Sequence, residues 1–420
     1  MAERLNIELD FGDHRRVVGQ VAWVKDQRRA AIEWAPEFVA NPLPISPYAI
    51  RSWQGLHFGD HTPFEGLPGI LADSLPDGWG RLLVDRELAR RGRALHELTP
   101  VDRLAIVGQH GMGALRYHPE EELTKQEDID LDWFARTVQH IEEDVSVEDL
   151  SRLRAGSGGS AGARPKFVAL LNTETGALRD HRSGAGEGFS HYLIKFRSST
   201  DPVSAAREEQ AYAEMACVAG LNMSGTQLLS TGSGEDLFAT LRFDRPEGRR
   251  LHMHTIAGIL NADFTAPVVD YETLLKLTYF MTNHQGDVEE MFRRMVFNVL
   301  THNRDDHIKN HAFLMDHHGT WRLSPAYDLS FSDGPGGEHH LSVNGNGRNP
   351  SHKDLFTVGQ GCGIRKRRVL EIIEQVHRAA EQWPVFADAS GVPEVRNREI
   401  AKRLNSVGKK LIKAVPVPLV

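Results

Sequence analysis

Apolar and polar residues alternate at the start of the chain. Leu5, Ile7 and Leu9 share one face; Val17, Val21 and Trp23 follow a Gly12-Asp13 turn; Ala31, Ile32 and Trp34 mark a third segment. A period of two predicts a small antiparallel meander. The pattern then lengthens. A helix is predicted from about Gly80 to Arg91, with Asp77 as cap and Gly92 as stop. Thr99-Pro100-Val101-Asp102 supplies a cap hydroxyl, a first-turn proline and an acid for a second helix, which ends near Gly108. Residues 119–150 are acid-rich and read as a partly helical connector.

Further along, Phe167–Leu171 and Tyr192–Phe196 are strand-like, Ala205–Ala219 is helical, and strands return at Gln227–Leu229 and Leu237–Phe243. From about Thr255 the pattern is mainly helical. Met291, Phe292, Met295, Val296, Val299 and Leu300 make Asp287–Leu300 a buried helix, and Val369–Trp383 is amphipathic. A hairpin interrupts this region, with strands His311–Met315 and Trp321–Leu323 around the turn Asp316–Thr320. Ser332–Pro350, rich in Gly, Asn and His, reads as a mobile loop.

Composition narrows the class. A chain of 420 residues exceeds one ordinary core, so two or three domains are expected. Charged residues at 25%, a net charge of −8 and a pI near 6.2 fit a globular protein that does not coat nucleic acid by itself. The two cysteines, Cys217 and Cys362, stand far apart without CxxC neighbours, which fits a reducing compartment. The N-terminus lacks the apolar core of a signal peptide, and no apolar run approaches a membrane span. A cytoplasmic protein is expected.

The chemistry concentrates in His302-Asn303-Arg304-Asp305-Asp306-His307-Ile308-Lys309-Asn310 and in Tyr327-Asp328-Leu329. Asp305 and Asn310 stand in a D-x-x-x-x-N spacing. There an Asp accepts the proton of a substrate hydroxyl while the Asn holds magnesium. The hairpin would return Asp328 to Asn310, so that two oxygen ligands share one hard cation. Upstream, Gly156–Lys166 is a glycine-serine run, read either as a phosphate cradle or as a flexible linker. Lys195 lies in an apolar strand, and Glu209 on the next helix (or Glu208) could pair with it as in a kinase N-lobe; the alternative is an exposed edge lysine. A rival reading takes His302, His307 and His311 with nearby aspartates as a zinc hydrolase site, although Ile308 stands where a zincin has Glu and Lys309 would repel a cation.

With these motifs in hand, the chain resembles the HipA family, bacterial serine/threonine kinases of HipA–HipB toxin–antitoxin modules. The resemblance runs through Leu75-Pro76-Asp77-Gly78-Trp79-Gly80, Gly162-Ala163-Arg164-Pro165-Lys166, Leu241-Arg242-Phe243-Asp244-Arg245, Asp305–Asn310 and Pro325–Asp328. It implies Asp305 as catalytic base and Asn310 and Asp328 as magnesium ligands. Lys195 and the loop Ala161, Gly162, Ala163, Arg164, Pro165 and Lys166 would contact ATP phosphates. Leu241, Arg242 and Phe243 would hold adenine through the backbone, and His307 and Tyr327 would line the nucleotide site. It also implies a target in translation, such as an aminoacyl-tRNA synthetase, and a DNA-binding HipB-like antitoxin as partner, with DNA reached only through that partner. Leu241 stands where relatives often carry an acid. Gly159 stands opposite their autophosphorylated loop serine, with Ser157 and Ser160 as nearby candidates.

The expected architecture is α+β: a bilobal protein-kinase-like fold with an additional N-terminal β-rich subdomain and a mainly helical C-lobe. The expected segments are 1–118 for the subdomain, 119–150 for the connector, 151–245 for the N-lobe and 246–420 for the C-lobe. A kinase for a small molecule, or a kinase-shaped binding module without turnover, would share this fold.

Overall fold

The alternation at the chain start becomes a curled antiparallel sheet in the computed structural model, which describes residues 4–76, 78–120, 129–141, 145–158, 162 and 164–412. Strands β1 (Arg4–Asp10), β2 (Arg15–Val24) and β3 (Arg29–Trp34) form the meander, with Leu5 opposite Val21 and Val21 opposite Ile32. Two strands that the pattern does not announce complete it: β4 (Leu56–Phe58) beside β3, and β5 (Leu115–His118) beside β1. Leu5, Ile7, Leu9 and Val21 are buried, as a one-sided sheet requires. The helix Pro100–Val107 starts on a capping box. The Thr99 hydroxyl accepts from the Asp102 N–H at 3.1 Å, and the Asp102 carboxylate accepts from the Thr99 N–H at 2.9 Å.

A second sheet has the order β7-β6-β8-β10-β9, with β6 Lys166–Leu171, β7 Leu178–Asp180, β8 Ser190–Lys195, β9 Thr226–Ser230 and β10 Asp236–Leu241. Successive side chains along a strand point to opposite faces. On one face, Phe167, Ala169 and Leu171, Tyr192 and Ile194, and Leu237 and Ala239 pack with Trp79, Leu83, Phe134, Leu150 and Leu153. These last five come from the helices Gly78–Arg90, Leu131–Gln139 and Val147–Ser157. Phe134 stacks on Phe167 at 4.7 Å. The acid-rich connector is therefore partly a core element.

Two compact units result, and they do not follow chain order. The first holds residues 1–203, 227–263 and 314–321; the second holds 204–226, 264–313 and 322–420. In the second, the helices Ala205–Val218, Tyr271–Thr282, Gln285–Leu300, His352–Gly361, Lys366–Glu381 and Glu394–Ile412 surround buried aromatic residues. Tyr212 lies 5.2 Å from the Trp383 ring and donates to the Thr301 carbonyl at 2.6 Å. The hairpin strands are Ala312–Met315 and Trp321–Leu323, as the pattern predicts. Among the described residues no helix is long and apolar enough to cross a membrane.

Candidate functional site

In the first unit the site begins at the end of the glycine run. Gly162 has φ +103°, and its carbonyl accepts the Trp79 N–H at 3.2 Å. A side chain there would be strained by the backbone alone. Trp79 is itself packed into the sheet core, so the Leu75–Gly80 motif anchors this loop end. Arg164 pairs with Asp201 at 3.3 Å, and the Pro165 carbonyl accepts from Phe196 N–H at 2.9 Å. Lys166 stands directly opposite Lys195, which stands opposite Phe238. All three project from the sheet face away from the core described above. Both lysines are more than nine-tenths buried, and Lys195 Nζ lies 5.7 Å from the Phe238 ring centre. Because β8 is a central strand, the edge-lysine reading of Lys195 is set aside.

Ser157 is the last residue of the helix Val147–Ser157 and not part of a loop. It is buried, and its hydroxyl donates to the Arg154 carbonyl at 2.9 Å. Gly158 closes that helix in the left-handed conformation. Ser160, Ala161 and Ala163 lie outside the described residues, as does the Asp77 cap.

Leu241 ends β10 opposite Tyr192, Arg242 N–H donates to the His191 carbonyl at 2.8 Å, and Phe243 follows half-buried. The arginines around this stretch do structural work. Asp244 is fully buried between Arg242 (2.7 Å) and Arg245 (2.7 Å), and it accepts the Gly113 N–H at 2.8 Å. Burial would raise its pKa, but the two guanidinium groups outweigh that and hold it well below the carboxylate range.

In the second unit, Glu208 is bound to Arg396 through two contacts of 3.1 Å and accepts the Ser204 hydroxyl at 2.7 Å. The adjacent Glu209 is equally buried. Glu208 is thus tied within the second unit through Arg396 and Ser204.

The candidate catalytic loop, residues 302–310, leaves the helix Gln285–Leu300 through His302, whose φ is +56°. A buried chain of hydrogen bonds underlies it. Asn303 donates to Asn298 at 2.9 Å, Asn298 to the Tyr271 hydroxyl at 2.9 Å, and Tyr271 to Asp306 at 2.7 Å. Asp305 projects from this base with its side chain half exposed, 4.0 Å from His307 Nε2 and 3.7 Å from His340 Nε2. Asn310 Nδ2 donates to the Asp305 carbonyl at 2.9 Å. That bond uses the donor end of the amide, and Oδ1 is the end a hard cation requires. The hairpin brings the chain back, with Ser324 N–H on the Ala312 carbonyl at 3.0 Å and the Tyr327 hydroxyl on the Lys309 carbonyl at 2.8 Å. Asp328 follows at φ +57°, a conformation costly for a residue with Cβ and common at working sites. Lys309 places its ammonium 4.9 Å from the Phe264 ring, and Phe264 lies 5.4 Å from His307.

The zinc reading finds no ligand set. His302 bonds to Asp333 at 2.9 Å and is pushed down to about 4, mainly by burial. His311 is fully buried and pushed down to about 3 by burial and by Arg294. Residues 308–310 form a single 3-10 turn, and among the described residues no three His, Cys, Asp or Glu side chains are placed so that they could hold a metal ion.

Ser332–Pro350, expected to be a mobile loop, is hydrogen-bonded to neighbouring elements at several points. Ser332 N–H donates to the His302 carbonyl at 3.1 Å, Arg304 N–H to the Ser332 carbonyl at 3.2 Å, and Tyr271 N–H to the Ser342 carbonyl at 3.1 Å. Arg304, His339 and His340 escaped the sequence reading as participants, and Asp306 entered it only within the Asp305–Asn310 motif and the rival metal cluster. The only local signal was the Asp305-Asp306 doublet, because their partners lie across a long loop.

These elements define a kinase-like fold of two lobes with an added N-terminal β-rich subdomain. Residues 13–118 match the HipA N-terminal domain family and residues 158–383 the HipA-like C-terminal domain family. The chain belongs to the HipA family. It is 28% identical over 279 residues to Y4dM of Sinorhizobium fredii, a provisionally assigned kinase, covering 63% of this chain and 62% of that one. A second provisionally assigned kinase, from Haemophilus influenzae, is 30% identical over 106 residues, 23% of this chain and 31% of its own length. The chain thus aligns with less than two thirds of either curated relative. A solved structure of the Shewanella oneidensis MR-1 toxin–antitoxin system, HipA with HipB and operator DNA, superposes with a TM-score of 0.69 at 16% identity over 97% of each chain.

Proposed function

We propose that this chain is an ATP- and Mg²⁺-dependent serine/threonine protein kinase of the HipA toxin type, working in the cytoplasm. The observation that carries the reading is the catalytic loop, in which Asp305 is half exposed while its own carbonyl fixes the Asn310 amide at 2.9 Å. Asp305 would accept the proton of the substrate hydroxyl. Asn310 and Asp328 would hold Mg²⁺, which when bound offsets charge on the transferred phosphoryl group. Lys166 and Lys195 would bind ATP phosphates, Glu209 would orient Lys195, and backbone groups of Leu241–Phe243 would hold adenine. His307 supports a ligand beside Asp305, since its Nδ1 is buried without a hydrogen-bond partner among the described residues. Catalysis of this kind is mainly positioning and electrostatics.

The protein substrate is proposed to belong to translation, such as an aminoacyl-tRNA synthetase. The partner is proposed to be a HipB-like DNA-binding antitoxin, a reading supported by the likeness to HipA in its complex with HipB and operator DNA. Ser160 is the remaining loop candidate for self-modification, given the buried hydroxyl of Ser157. The test is incubation of the protein with a cell lysate and γ-labelled ATP, with Asp305→Asn as control. Labelling of a discrete protein that Asp305→Asn abolishes is expected. Label confined to a small molecule would favour a metabolic kinase of the same fold, and no label with retained ATP binding would favour a binding module.

A further inference from the structure

We infer that Arg304 and Asp306, the two neighbours of Asp305, are positioning residues that clamp segment 332–350 onto the catalytic loop and hold His340 beside the Asp305 carboxylate. The role given to Asp305 rests on the kinase reading above; the clamp is a property of the fold.

The chain beyond Asp328 has to be tied down if it is to shape the site, because loops without partners sample many conformations. Here it is tied at several points. The main chain of Ser332 exchanges two hydrogen bonds with the catalytic loop, to His302 at 3.1 Å and from Arg304 at 3.2 Å. The Arg304 guanidinium then donates to the Gly337 carbonyl and, at 2.8 Å, to the Arg348 carbonyl. A planar fork reaches two carbonyls from the two ends of one loop, which a lysine ammonium cannot match. The loop crowds against Arg304 at Gly334, where φ is +69° and a Cβ would lie 2.2 Å from the Glu338 carbonyl oxygen and 2.6 Å from Arg304 Cβ.

Asp306 grips the far side. It is 1% exposed and accepts from three donors: the Tyr271 hydroxyl at 2.7 Å, His339 Nδ1 at 2.9 Å and the His340 N–H at 2.9 Å. Two of the three belong to the clamped segment. A buried carboxylate is costly unless its oxygens are satisfied, so displacing the segment would strip Asp306 of two partners at once. The product of the clamp is the position of His340. Its Nε2 stands 3.7 Å from Asp305 Oδ1, and its ring meets His307 edge-on at 5.5 Å. Two imidazoles thus confine one oxygen of a half-exposed carboxylate, which leaves the other for an incoming hydroxyl.

Hydrogen exchange and steady-state kinetics together test this on the full-length protein. Without nucleotide, amides of 332–346 in the wild type should exchange slowly. Arg304→Lys, which keeps the charge, should speed them by at least about tenfold while the helix Gln285–Leu300 stays protected. Arg304→Lys and His340→Ala should each lower kcat by about tenfold or more with KM for ATP changed by less than about threefold, and His340→Asn should recover part of the loss. Rapid exchange of the segment in the wild type, or unaltered exchange in Arg304→Lys, overturns the clamp. Loss expressed in KM for ATP overturns the positioning role of His340. If the wild type transfers no phosphate at all, the kinase reading fails while the exchange arm still decides the clamp.

Discussion

Lys166 and Lys195 face each other from neighbouring strands of the second sheet, at 5% and 8% exposure. Each carries an ammonium group into a largely buried position, where a charged ligand is poorly screened by water. A phosphate lying across both would make a charge-assisted contact with each. Lys166→Met and Lys195→Met should therefore each weaken ATP binding by about tenfold, the worth of one charge-assisted contact. Thermal unfolding monitors whether each variant keeps its fold. Calorimetric titration with ATP checks the prediction; full affinity in both variants would detach the lysine pair from the nucleotide.

Asp328→Asn should weaken binding of Mg²⁺–ATP more than binding of ATP without metal, because a neutral amide replaces a carboxylate at a hard-cation site. Asn also tolerates the positive φ of this position (+57°), so the backbone is kept. Paired titrations with and without Mg²⁺ separate the outcomes, and equal losses would make Asp328 a structural residue.

The neighbouring glutamates should divide cleanly. Glu208→Ala breaks a largely buried, two-point pair with Arg396 and should cost about 3 kcal/mol of stability. Glu209→Ala should instead lower phosphotransfer, with unfolding in urea little changed. A reversed pattern would return the lysine-pairing role to Glu208.

Stability should fall with acid below neutrality. His181 and His110 meet edge-on at 5.6 Å, and the His191 ring hydrogen-bonds the His181 backbone. Burial is the main cause for all three, pushing His181 down to about 3 and His110 and His191 down to about 4. All three are neutral at pH 7 in either state, so they cost nothing there. As pH falls through 6.5 the unfolded chain takes up protons that the folded chain refuses, so stability declines until about pH 4 to 3. The loss by pH 5 should be about 2 kcal/mol per group. His181→Gln, which can still donate to the Ala155 carbonyl, should flatten the decline. Melting curves from pH 7 to 4 read it, and a slope that the variant leaves untouched would place the acid sensitivity elsewhere.

What the sequence disclosed and what it hid differ by range. Asp305 and Asn310 are legible because five peptide bonds fix how far apart they can be, and the hairpin that returns Asp328 is written in its own turn residues. Lys195 is legible as a strand residue, but its burial depends on β6 and β10 closing over it. Ser157 misleads because glycine and serine around it favour a loop. Yet the helix continues through Gly156, where the Phe134 ring lies 3.1 Å from where a Cβ would stand, so packing overrides local propensity. Arg304, Asp306 and His340 are illegible for the opposite reason. Their meaning lies in main-chain carbonyls and amides about 30 to 45 positions away, which have no residue signature.

The helix Ala205–Val218 has a consequence for biosynthesis. It is encoded between two strands of the second sheet, yet Tyr212 is buried against Trp383 and the Thr301 carbonyl. At ribosomal speeds of about 5–20 residues per second, Trp383 emerges roughly ten to thirty seconds after the helix. Until then Tyr212 lacks one of the aromatic side chains that bury it, while the strands on either side already have their neighbours. A cut between this helix and Trp383 would divide Tyr212 from a side chain that buries it.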